Sequence, residues 1–372
     1  MVAQGRSLTY AELDGCLIPL RAPLVHEARG TLRFAIRLWS AWRADVPFVP
    51  LDPRLGGVPP APFEAPPGTR TIIFTSGTTG TPKPVALTAA NHEASAIASA
   101  WNLGVAPEDR WLCCLPLWHV GGLAILHRSA IYGTTAVLHD GFDVAAVREE
   151  IESGAVTAVS LVATMLRRLI DAGLREWPAL RFALVGGGPV PRDLLDWADD
   201  RGFPLVPTYG MTETASQVVT GQRPLLGVDL RVGEGGEILV RGPMVAPGAA
   251  GADGWLRTGD RGRLDSEGRL FVEGRLDDVI VTGGENVAAA EVEEALLSHP
   301  AVADAAVAGR PDPEWGEAIT AYVVLRGEAS DAELLAHCRA RLPGFKVPKA
   351  VERRDELPRN AAGKLVRRSL GG

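Results

Sequence analysis

Short apolar runs alternate with helix-length segments through the first part of the chain. Between residues 71 and 208, β-branched and other apolar residues gather in runs that are short enough to be strands. The predicted strands are residues 71–74, 111–115, 134–138, 155–162, 182–185 and 204–207. Because strands that alternate with helices are typical of βαβ units, the pattern predicts an α/β fold with parallel sheet. Ligands in such folds collect at the carboxyl ends of the strands.

Capping residues predict where several helices begin. Thr88 is expected to cap one helix, and residues 190–201 form a second helical segment. Ser330 and Glu333 have the spacing of a capping box, which predicts a further helix that runs towards Leu342.

The pattern changes in the last third of the chain. Residues 231–273 are rich in glycine and contain short strand candidates, which predicts a small β-rich subdomain. Beyond Gly274, a helical segment at 287–298 and a strand at 318–325 predict a separate α+β domain at the C-terminus. The parallel βαβ sheets therefore belong to a large N-terminal domain. Within it, the Pro- and Gly-rich segment 53–68 is expected to be an exposed connection.

Composition fits an ordinary globular protein. The chain has 372 residues, of which 46% are apolar and 22% are charged, enough for two or three domains. Its formal net charge of -7 gives no general attraction for nucleic acid or for an anionic membrane surface. The cysteines lack metal-ligand spacing, and they are Cys16, Cys113, Cys114 and Cys338. With no apolar stretch near the roughly 20 residues of a membrane span, these features predict a soluble cytoplasmic protein in which a local site must bind any anionic ligand.

A loop rich in glycine and hydroxyl groups directly follows the predicted strand at 71–74. It consists of Thr75, Ser76, Gly77, Thr78, Thr79, Gly80, Thr81, Pro82 and Lys83. Glycines let the backbone approach an anion, hydroxyls and amides donate hydrogen bonds, and the lysine supplies a positive charge. The spacing differs from that of a Walker A loop and of a dinucleotide-binding fingerprint. The loop therefore predicts a triphosphate site of another kind.

This loop resembles the acyl-adenylate-forming superfamily, which includes acyl-CoA synthetases, peptide-synthetase adenylation domains and luciferases. Further motifs in the family's order extend the resemblance over about residues 70–370. The resemblance implies an acid–thiol ligase that uses Mg2+, with ATP and CoA as co-substrates. The acid attacks the α-phosphate of ATP to give an acyl-adenylate and diphosphate, and the CoA thiol then displaces AMP.

A second motif resembles the adenylate-binding segment of the family. It consists of Tyr209, Gly210, Met211, Thr212, Glu213 and Thr214. In the family the tyrosine packs on adenine, the threonine bonds the α-phosphate and the glutamate holds Mg2+. An aromatic face, a neutral donor and a hard carboxylate suit these three tasks.

Three more motifs complete the resemblance around the nucleotide. The glycine turn Gly186, Gly187 and Gly188 matches the family's turn at the nucleotide base and the acyl group, although such glycines can also serve the turn alone. Asp260 resembles the aspartate that accepts the ribose hydroxyls, and Arg275 resembles the arginine that helps to hold the same ribose.

The C-terminal motifs imply a domain that moves. Asp277 resembles the hinge between an N-terminal domain, residues 1–276 with a β-rich subdomain at about 228–274, and a mobile C-terminal domain, residues 277–372. In the family, the loop matched by Gly283 and Gly284 lines the pantetheine tunnel. The lysine matched by Lys364 enters the active site for adenylation.

The segment 115–128 carries the resemblance that bears on the acid. It is similar to the o-succinylbenzoate:CoA ligases of menaquinone biosynthesis, whose usual form is LPLFHVSG followed by an arginine; this chain departs from that form at Trp118 and Gly121. The resemblance assigns His119 to the catalytic and acyl site.

Two further residues are matched to the acyl site. Arg128 lies among apolar residues of a predicted helix, where a second substrate carboxylate would satisfy its charge. Snorkelling to the surface or a structural acid would satisfy it equally well. Ser160 lies in a segment that resembles SLVPTML, with Ala163 in place of proline, and its hydroxyl is expected to help bind the aromatic acid.

Several alternatives stay open at the level of sequence. The same chemistry on another acid, a stand-alone adenylation enzyme that loads a carrier protein, and an AMP-sensing module descended from a ligase all fit the same motifs. A homodimer is among the expected assemblies. The segment 49–53 resembles a turn that most family members reach only after a much longer N-terminal region. Part of the N-terminal subdomain is therefore expected to be missing here, as in the compact ligases that occur among actinobacteria.

Overall fold

The computed structural model describes residues 1–76, 82–359 and 365–370. The chain divides into two compact units. The first contains Met1–Gly188, Gly202–Leu230 and Val240–Leu256, and the second contains Pro189–Arg201, Arg231–Leu239 and Arg257–Gly372.

The described residues include nine α-helices. They are α1 (Tyr10–Gly15), α2 (Leu32–Arg43), α3 (Ala89–Leu103), α4 (Val120–Tyr132), α5 (Val144–Glu152), α6 (Ala163–Asp171), α7 (Arg192–Arg201), α8 (Ala289–Leu297) and α9 (Asp331–Arg339). The two predicted caps are present, because Thr88 accepts from the N3 amide of α3 and Ser330 does the same for α9. Helix α9 ends at Arg339, earlier than predicted.

Thirteen strands lie in the first part of the described chain. They are β1 (Val2–Ala3), β2 (Arg6–Ser7), β3 (Leu24–Glu27), β4 (Phe48–Leu51), β5 (Thr69–Ser76), β6 (Pro82–Thr88), β7 (Arg110–Cys113), β8 (Thr135–Leu138), β9 (Ala158–Leu161), β10 (Phe182–Val185), β11 (Leu205–Met211), β12 (Ser216–Thr220) and β13 (Arg223–Pro224). Nine of them form a sheet in the order β13-β12-β11-β10-β9-β7-β8-β1-β2. Its central pairs, from β11 to β1, are parallel, as predicted.

A four-stranded sheet, β3-β4-β5-β6, contains the described residues on either side of the middle of the predicted phosphate loop. Strands β3, β4 and β5 pair in parallel, whereas β5 and β6 form an antiparallel hairpin. The connection at 53–68 consists of a short 3-10 turn at Pro53–Leu55 and irregular, largely exposed chain, as expected.

The remaining strands form two smaller sheets. They are β14 (Asp229–Val232), β15 (Glu237–Arg241), β16 (Leu256–Leu264), β17 (Leu270–Arg275), β18 (Val279–Thr282), β19 (Glu285–Ala288), β20 (Val302–Asp312), β21 (Gly316–Leu325) and β22 (Ala350–Arg353). Strands β14 to β17 form one sheet in chain order, and β19-β18-β21-β20 with β22 beside β21 form the other. The helix predicted to begin at Val287 begins at Ala289, because Val287 pairs with Ile280 in the sheet. The α/β class with smaller β-rich and α+β parts is confirmed.

The apolar core of the first unit positions the predicted acyl-site residues of helix α4 and strand β9. It contains Leu123 and Leu126 of α4 together with Trp111 of β7 and Phe182 of β10, all almost fully buried. The rings of Trp111 and Phe182 meet edge to face with centroids 5.2 Å apart. Helix α4 is therefore held against the nine-stranded sheet.

Candidate active site

The described residues of the predicted phosphate loop lie in the antiparallel strands β5 and β6. Thr75 and Lys83 are directly opposite each other, and the Thr75 hydroxyl donates to the carbonyl of Lys83 at 3.3 Å. The strand predicted at 71–74 was too short: β5 reaches Ser76 and β6 begins at Pro82, so Lys83 lies in a strand. The hairpin brings Thr75 and the exposed Lys83 together.

The middle of the loop lies outside the described residues, and it consists of Gly77, Thr78, Thr79, Gly80 and Thr81.

The predicted adenylate-binding motif straddles a strand end. Tyr209, Gly210 and Met211 belong to β11, which extends beyond the predicted 204–207, and Thr212 and Glu213 lie half-buried in the 3-10 turn that follows. A Cβ at position 210 would lie 1.8 Å from the carbonyl oxygen of the neighbouring strand, so only glycine fits there.

Left-handed backbone follows this turn. Ala215 has φ of 49° and Ser216 has φ of 105°, conformations that L-residues rarely adopt. Thr214 stabilises the turn, because its hydroxyl accepts from the Met211 amide at 3.1 Å and donates to the Ser216 carbonyl at 3.0 Å. The backbone that presents the motif is therefore held by specific hydrogen bonds.

Helix α3 and the segment around residue 245 support the same turn. The Ala246 amide donates to the carbonyl of Glu213 at 2.7 Å. Asn91 of α3 in turn donates to the carbonyls of Pro243 and Val245 at 2.9 and 3.0 Å. These contacts fix the main chain of Glu213 from outside the motif.

The glycine turn after β10 has structural reasons for two of its three glycines. A Cβ on the buried Gly186 would lie 2.7 Å from the side chain of Thr208, and Gly187 has φ of 79°. A Cβ on Gly188 would meet no atom within 4 Å. The turn itself therefore requires Gly186 and Gly187, while the open space beside Gly188 is compatible with a ligand there. Both explanations of these glycines, the turn and the close approach of a ligand, remain predictions.

The two predicted ribose-binding residues meet in the second unit. Asp260 of β16 and Arg275 of β17 are cross-strand partners, and Arg275 Nη1 lies 3.0 Å from Asp260 Oδ1. The same nitrogen donates to the carbonyl of Thr258 at 3.0 Å. Pairing through the strand register therefore places a carboxylate and a guanidinium side by side.

The hinge and tunnel residues lie in two turns of the second unit. Asp277 is exposed in the 3-10 turn Leu276–Asp278. Gly283 and Gly284, with φ of 58° and 83°, form the two-residue turn of the β18–β19 hairpin. Lys364 lies outside the described residues.

Arg128 is buried inside the first unit, with 3% of its surface exposed. Its Nη2 donates to Ser95 Oγ of α3 at 3.1 Å, and its guanidinium carbon lies 5.8 Å from the ring centroid of Trp111. Trp111 Nε1 donates to Ser160 Oγ at 3.1 Å. Two predicted acyl-site residues, Arg128 and Ser160, are thus joined through one tryptophan that the sequence interpretation missed.

Neither ordinary explanation for Arg128 holds. The side chain does not reach the surface, and within residues 1–76, 82–359 and 365–370 it forms no ion pair with an acid. Its Nε is buried without a hydrogen-bond partner there, and burial lowers the pKa of the guanidinium. A buried charge in this state is costly unless a ligand pairs with it.

Two buried histidines lie beside this arginine. The His127 ring lies 4.2 Å from that of His92 and 4.5 Å from that of Trp42, measured between centroids. His92 bonds Thr71 Oγ1 at 2.7 Å, whereas both ring nitrogens of His127 lack partners among the described residues. Burial lowers the pKa of His92 to about 3 and that of His127 well below its usual value. Both rings are therefore neutral near pH 7.

His119 occupies the N-cap position of α4 and is half-buried. Because it precedes Arg128 by nine positions, the two backbones lie about 13 Å apart along the helix axis. The helix thus separates the two predicted acyl-site residues, and one small group on a substrate could not contact both.

The carboxylates present suit a metal that is held mainly by phosphate. Across the described ranges, no group of three or more His, Cys, Asp or Glu side chains could hold a metal ion. Mg2+ is commonly bound by one or two carboxylates together with substrate phosphates and water. A single carboxylate such as that of Glu213 fits this arrangement.

The fold and the order of the motifs define a class of nucleotide-binding enzyme. The family model for AMP-binding enzymes matches residues 51–228, and the model for the AMP-binding enzyme C-terminal domain matches residues 291–364. The chain belongs to the AMP-binding enzyme family, and the predicted superfamily is confirmed. No described helix is long and apolar enough to cross a membrane.

Individual relatives are similar over most of their length. The chain is 44% identical to the 2-succinylbenzoate–CoA ligase of Bacillus subtilis (strain 168) over 332 residues, which is 81% of this chain and 68% of that protein. It is 44% identical to the ligase of the same name from Bacillus velezensis over 345 residues, 85% of this chain and 71% of that protein.

Two solved structures from Bacillus subtilis share the fold closely. The o-succinylbenzoate CoA synthetase (MenE) in complex with its acyl-adenylate intermediate has a TM-score of 0.89 and 34% identity, covering 100% of this chain and 94% of that one. The same enzyme with ATP and a magnesium ion has a TM-score of 0.89 and 34% identity, covering 100% of this chain and 96% of that one.

Proposed function

We propose that this protein is an ATP-dependent ligase that joins o-succinylbenzoate to CoA in menaquinone biosynthesis. The reaction consumes o-succinylbenzoate, ATP and CoA and yields o-succinylbenzoyl-CoA, AMP and diphosphate through an acyl-adenylate. The observation that carries the choice of acid is Arg128, a buried cation with no acidic partner among the described residues. A dicarboxylic acid supplies one carboxylate for activation and a second for this arginine.

The nucleotide site is proposed on the matched motifs. The residues assigned to ATP and AMP are Thr75, Ser76, Gly77, Thr78, Thr79, Gly80, Lys83, Gly187, Gly188, Tyr209, Gly210, Met211, Asp260 and Arg275. Thr212 and Glu213 are assigned to the reacting phosphate and to Mg2+. When bound, Mg2+ neutralises negative charge on the phosphates.

The acyl site is proposed around helix α4. The residues assigned to it are His119, Arg128, Ser160 and Gly186. Arg128 binds the carboxylate that is not activated. Ser160 accepts a hydrogen bond from Trp111 and thereby holds the indole ring beneath the guanidinium. His119, at the opposite end of α4, faces the part of the acid nearer the reacting carboxylate.

The catalytic cycle is proposed to use two poses of a C-terminal domain. Residues 277–372 rotate about Asp277 relative to residues 1–276, bringing Lys364 to the reacting carboxylate and α-phosphate in the first pose. Gly283 and Gly284 line the pantetheine tunnel in the second. The exposure of Asp277 in a short turn supports a hinge there, because hinges are element-terminal positions that absorb backbone change.

The two-pose mechanism is tested by Lys364→Ala. Removal of the charge that stabilises the pentacoordinate centre should slow adenylation by about 100-fold or more. Transfer of the acyl group from preformed acyl-adenylate to CoA should remain largely intact. Equal loss in both half-reactions would contradict the assignment of Lys364.

The cellular setting and assembly belong to the same proposal. Four free cysteines, of which Cys113, Cys114 and Cys338 are buried, support a reducing cytoplasm. Ile97 and Trp101, one turn apart and exposed on α3, support a homodimer by offering apolar surface to a second copy. Light scattering coupled to size-exclusion chromatography tests the dimer.

The proposed acid is tested by diphosphate release with a panel of acids. The panel contains o-succinylbenzoate, 4-oxo-4-phenylbutanoate, which lacks the ring carboxylate, benzoate and a medium-chain fatty acid. The proposal expects o-succinylbenzoate to have the highest kcat/KM, with CoA as the acceptor. A preference for a monocarboxylic acid would exclude the role given to Arg128, and transfer only to carrier proteins would indicate a stand-alone adenylation enzyme.

A further inference from the structure

We infer that Ser95 is a positioning residue that ties the substrate-binding arginine to the adenylate-binding turn. This inference rests on the proposed function and deepens it. Ser95 contacts neither proposed substrate group directly; it acts through Arg128 on one side and through Ala215 on the other.

Ser95 lies in the middle of α3 and is 2% exposed. Its hydroxyl accepts from Arg128 Nη2 at 3.1 Å and donates to the carbonyl oxygen of Ala215 at 2.9 Å. A serine hydroxyl has one hydrogen to donate and lone pairs to accept, so both bonds form at once. The result is a continuous chain from a guanidinium to a main-chain carbonyl.

The carbonyl at the far end of this chain belongs to a strained residue. Ala215 has φ of 49°, and it directly follows the turn that carries Thr212 and Glu213. Strained backbone persists only where surrounding contacts determine it. Ser95 supplies one of these contacts from a neighbouring helix, and it thereby sets where the turn sits relative to Arg128.

The arginine at the near end has few other constraints. Among the described residues, Nη2 of Arg128 bonds Ser95, the guanidinium lies over Trp111, and Nε has no partner. Loss of the Ser95 hydroxyl would remove the bond that orients the guanidinium, while its charge and burial would remain. The acid would then be held less accurately at its second carboxylate, and the reacting carboxylate would be displaced from the nucleotide.

The experiment compares Ser95→Ala with a matched control, Ser129→Ala. Ser129 is buried beside Arg128 on α4, and its hydroxyl has no partner among the described residues. For each variant, kcat and KM are measured with o-succinylbenzoate and with 4-oxo-4-phenylbutanoate, and the ratio of the two kcat/KM values gives the selectivity. Thermal melting reports the folded fraction.

Ser95→Ala is expected to lower this selectivity about tenfold, the size expected for a hydrogen bond to a charged group. It should also lower kcat for both acids about threefold, because the turn loses a neutral hydrogen bond. Ser129→Ala should retain both values. In an Arg128→Met background, Ser95→Ala should leave the selectivity unchanged and still lower kcat. In the wild-type background, Ser95→Thr keeps the hydroxyl and should therefore retain the selectivity of the wild type.

The two proposals fail in different places. A wild-type protein that does not prefer o-succinylbenzoate overturns the proposed function and the Ser95 assignment together. If the wild type prefers o-succinylbenzoate and the selectivity of Ser95→Ala equals that of Ser129→Ala, the Ser95 assignment alone is overturned. A lower melting temperature without loss of selectivity has the same meaning, because a merely structural serine would behave that way.

Discussion

Arg128 in the first unit is buried and Arg367 in the second is partly buried, and the two arginines have opposite surroundings. In the second unit, Arg367 lies 2.7 Å from Glu293 and also pairs with Asp278. In the first unit, Arg128 has a hydroxyl and an indole ring as neighbours and no acidic partner among the described residues. Arg367 is neutralised by its own fold, whereas we propose that the charge of Arg128 is neutralised by a ligand. The comparison contrasts a structural ion pair with a proposed binding site.

Replacing Arg128 by methionine should separate activity from stability most strongly. Arg128→Met removes the partner of the second carboxylate, so kcat/KM for o-succinylbenzoate should fall about 1000-fold, which is ~4 kcal/mol. The free energy of unfolding should stay the same or rise, because an unpaired buried charge is lost. Diphosphate release and thermal melting measure the two quantities, and a large loss of stability would place Arg128 with the structural arginines.

Arg367→Met should show the reverse behaviour. Two acids, one of them mostly buried, would lose their cation, and the free energy of unfolding should fall by about 3 kcal/mol. Burial already raises the pKa of Glu293, and without Arg367 the pKa should rise further. Denaturant titration measures the loss, and combining Arg367→Met with Glu293→Gln should recover part of it. A stable single variant would remove the contrast between the two arginines.

The histidines beside Arg128 predict a loss of stability in acid. Burial holds the pKa of His127 well below its unfolded value near 6.5. Below about pH 6.5, the imidazole is therefore protonated in the unfolded chain while it stays neutral in the folded chain. Stability from this residue is therefore complete above about pH 6.5 and declines as the pH falls below it, by about 2 kcal/mol at pH 5.

His127→Phe isolates this contribution. The phenyl ring keeps the contacts to Trp39 and Trp42 and removes two ring nitrogens without partners among the described residues. The variant should match the wild type near pH 7.5 and lose about 2 kcal/mol less than the wild type on acidification to pH 5. Parallel curves for the two proteins would show that His127 already has a charged or solvated environment.

Trp111→Phe should give the smallest of these effects. The aromatic ring beneath Arg128 remains, but the hydrogen bond from Nε1 to Ser160 Oγ is lost. We expect kcat/KM for o-succinylbenzoate to fall about fivefold, or ~1 kcal/mol. Ser160→Ala should have a similar effect, and the double variant should be no worse than either single one, because both remove the same bond. Additive losses would mean that the two residues act independently.

Local signals in the sequence were sufficient for much of the fold. Strand β10 has the predicted bounds, and the caps at Thr88 and Ser330 are formed by the side chains that the pattern indicated. These features depend on residues within a few positions of each other, so periodicity and capping rules describe them.

Contacts between distant residues could not be obtained in the same way. Nothing near Trp111 in the sequence indicates its bond to Ser160, 49 positions away, and nothing near Ser95 indicates Ala215. One signal was present: Asn91, Ser95 and Ser99 recur every four residues in an alanine-rich helix, and all three are buried. A polar stripe of this kind predicts buried hydrogen bonds without naming their partners.

The central claim is that Arg128 recognises a second carboxylate on the acid. The most direct measurement is the ratio of kcat/KM for o-succinylbenzoate to that for 4-oxo-4-phenylbutanoate, in the wild type and in Arg128→Met. We predict a ratio of about 1000 in the wild type and a ratio near one in the variant, as expected when a charged hydrogen-bonding partner is removed. A preference for o-succinylbenzoate that persists in Arg128→Met would contradict the claim.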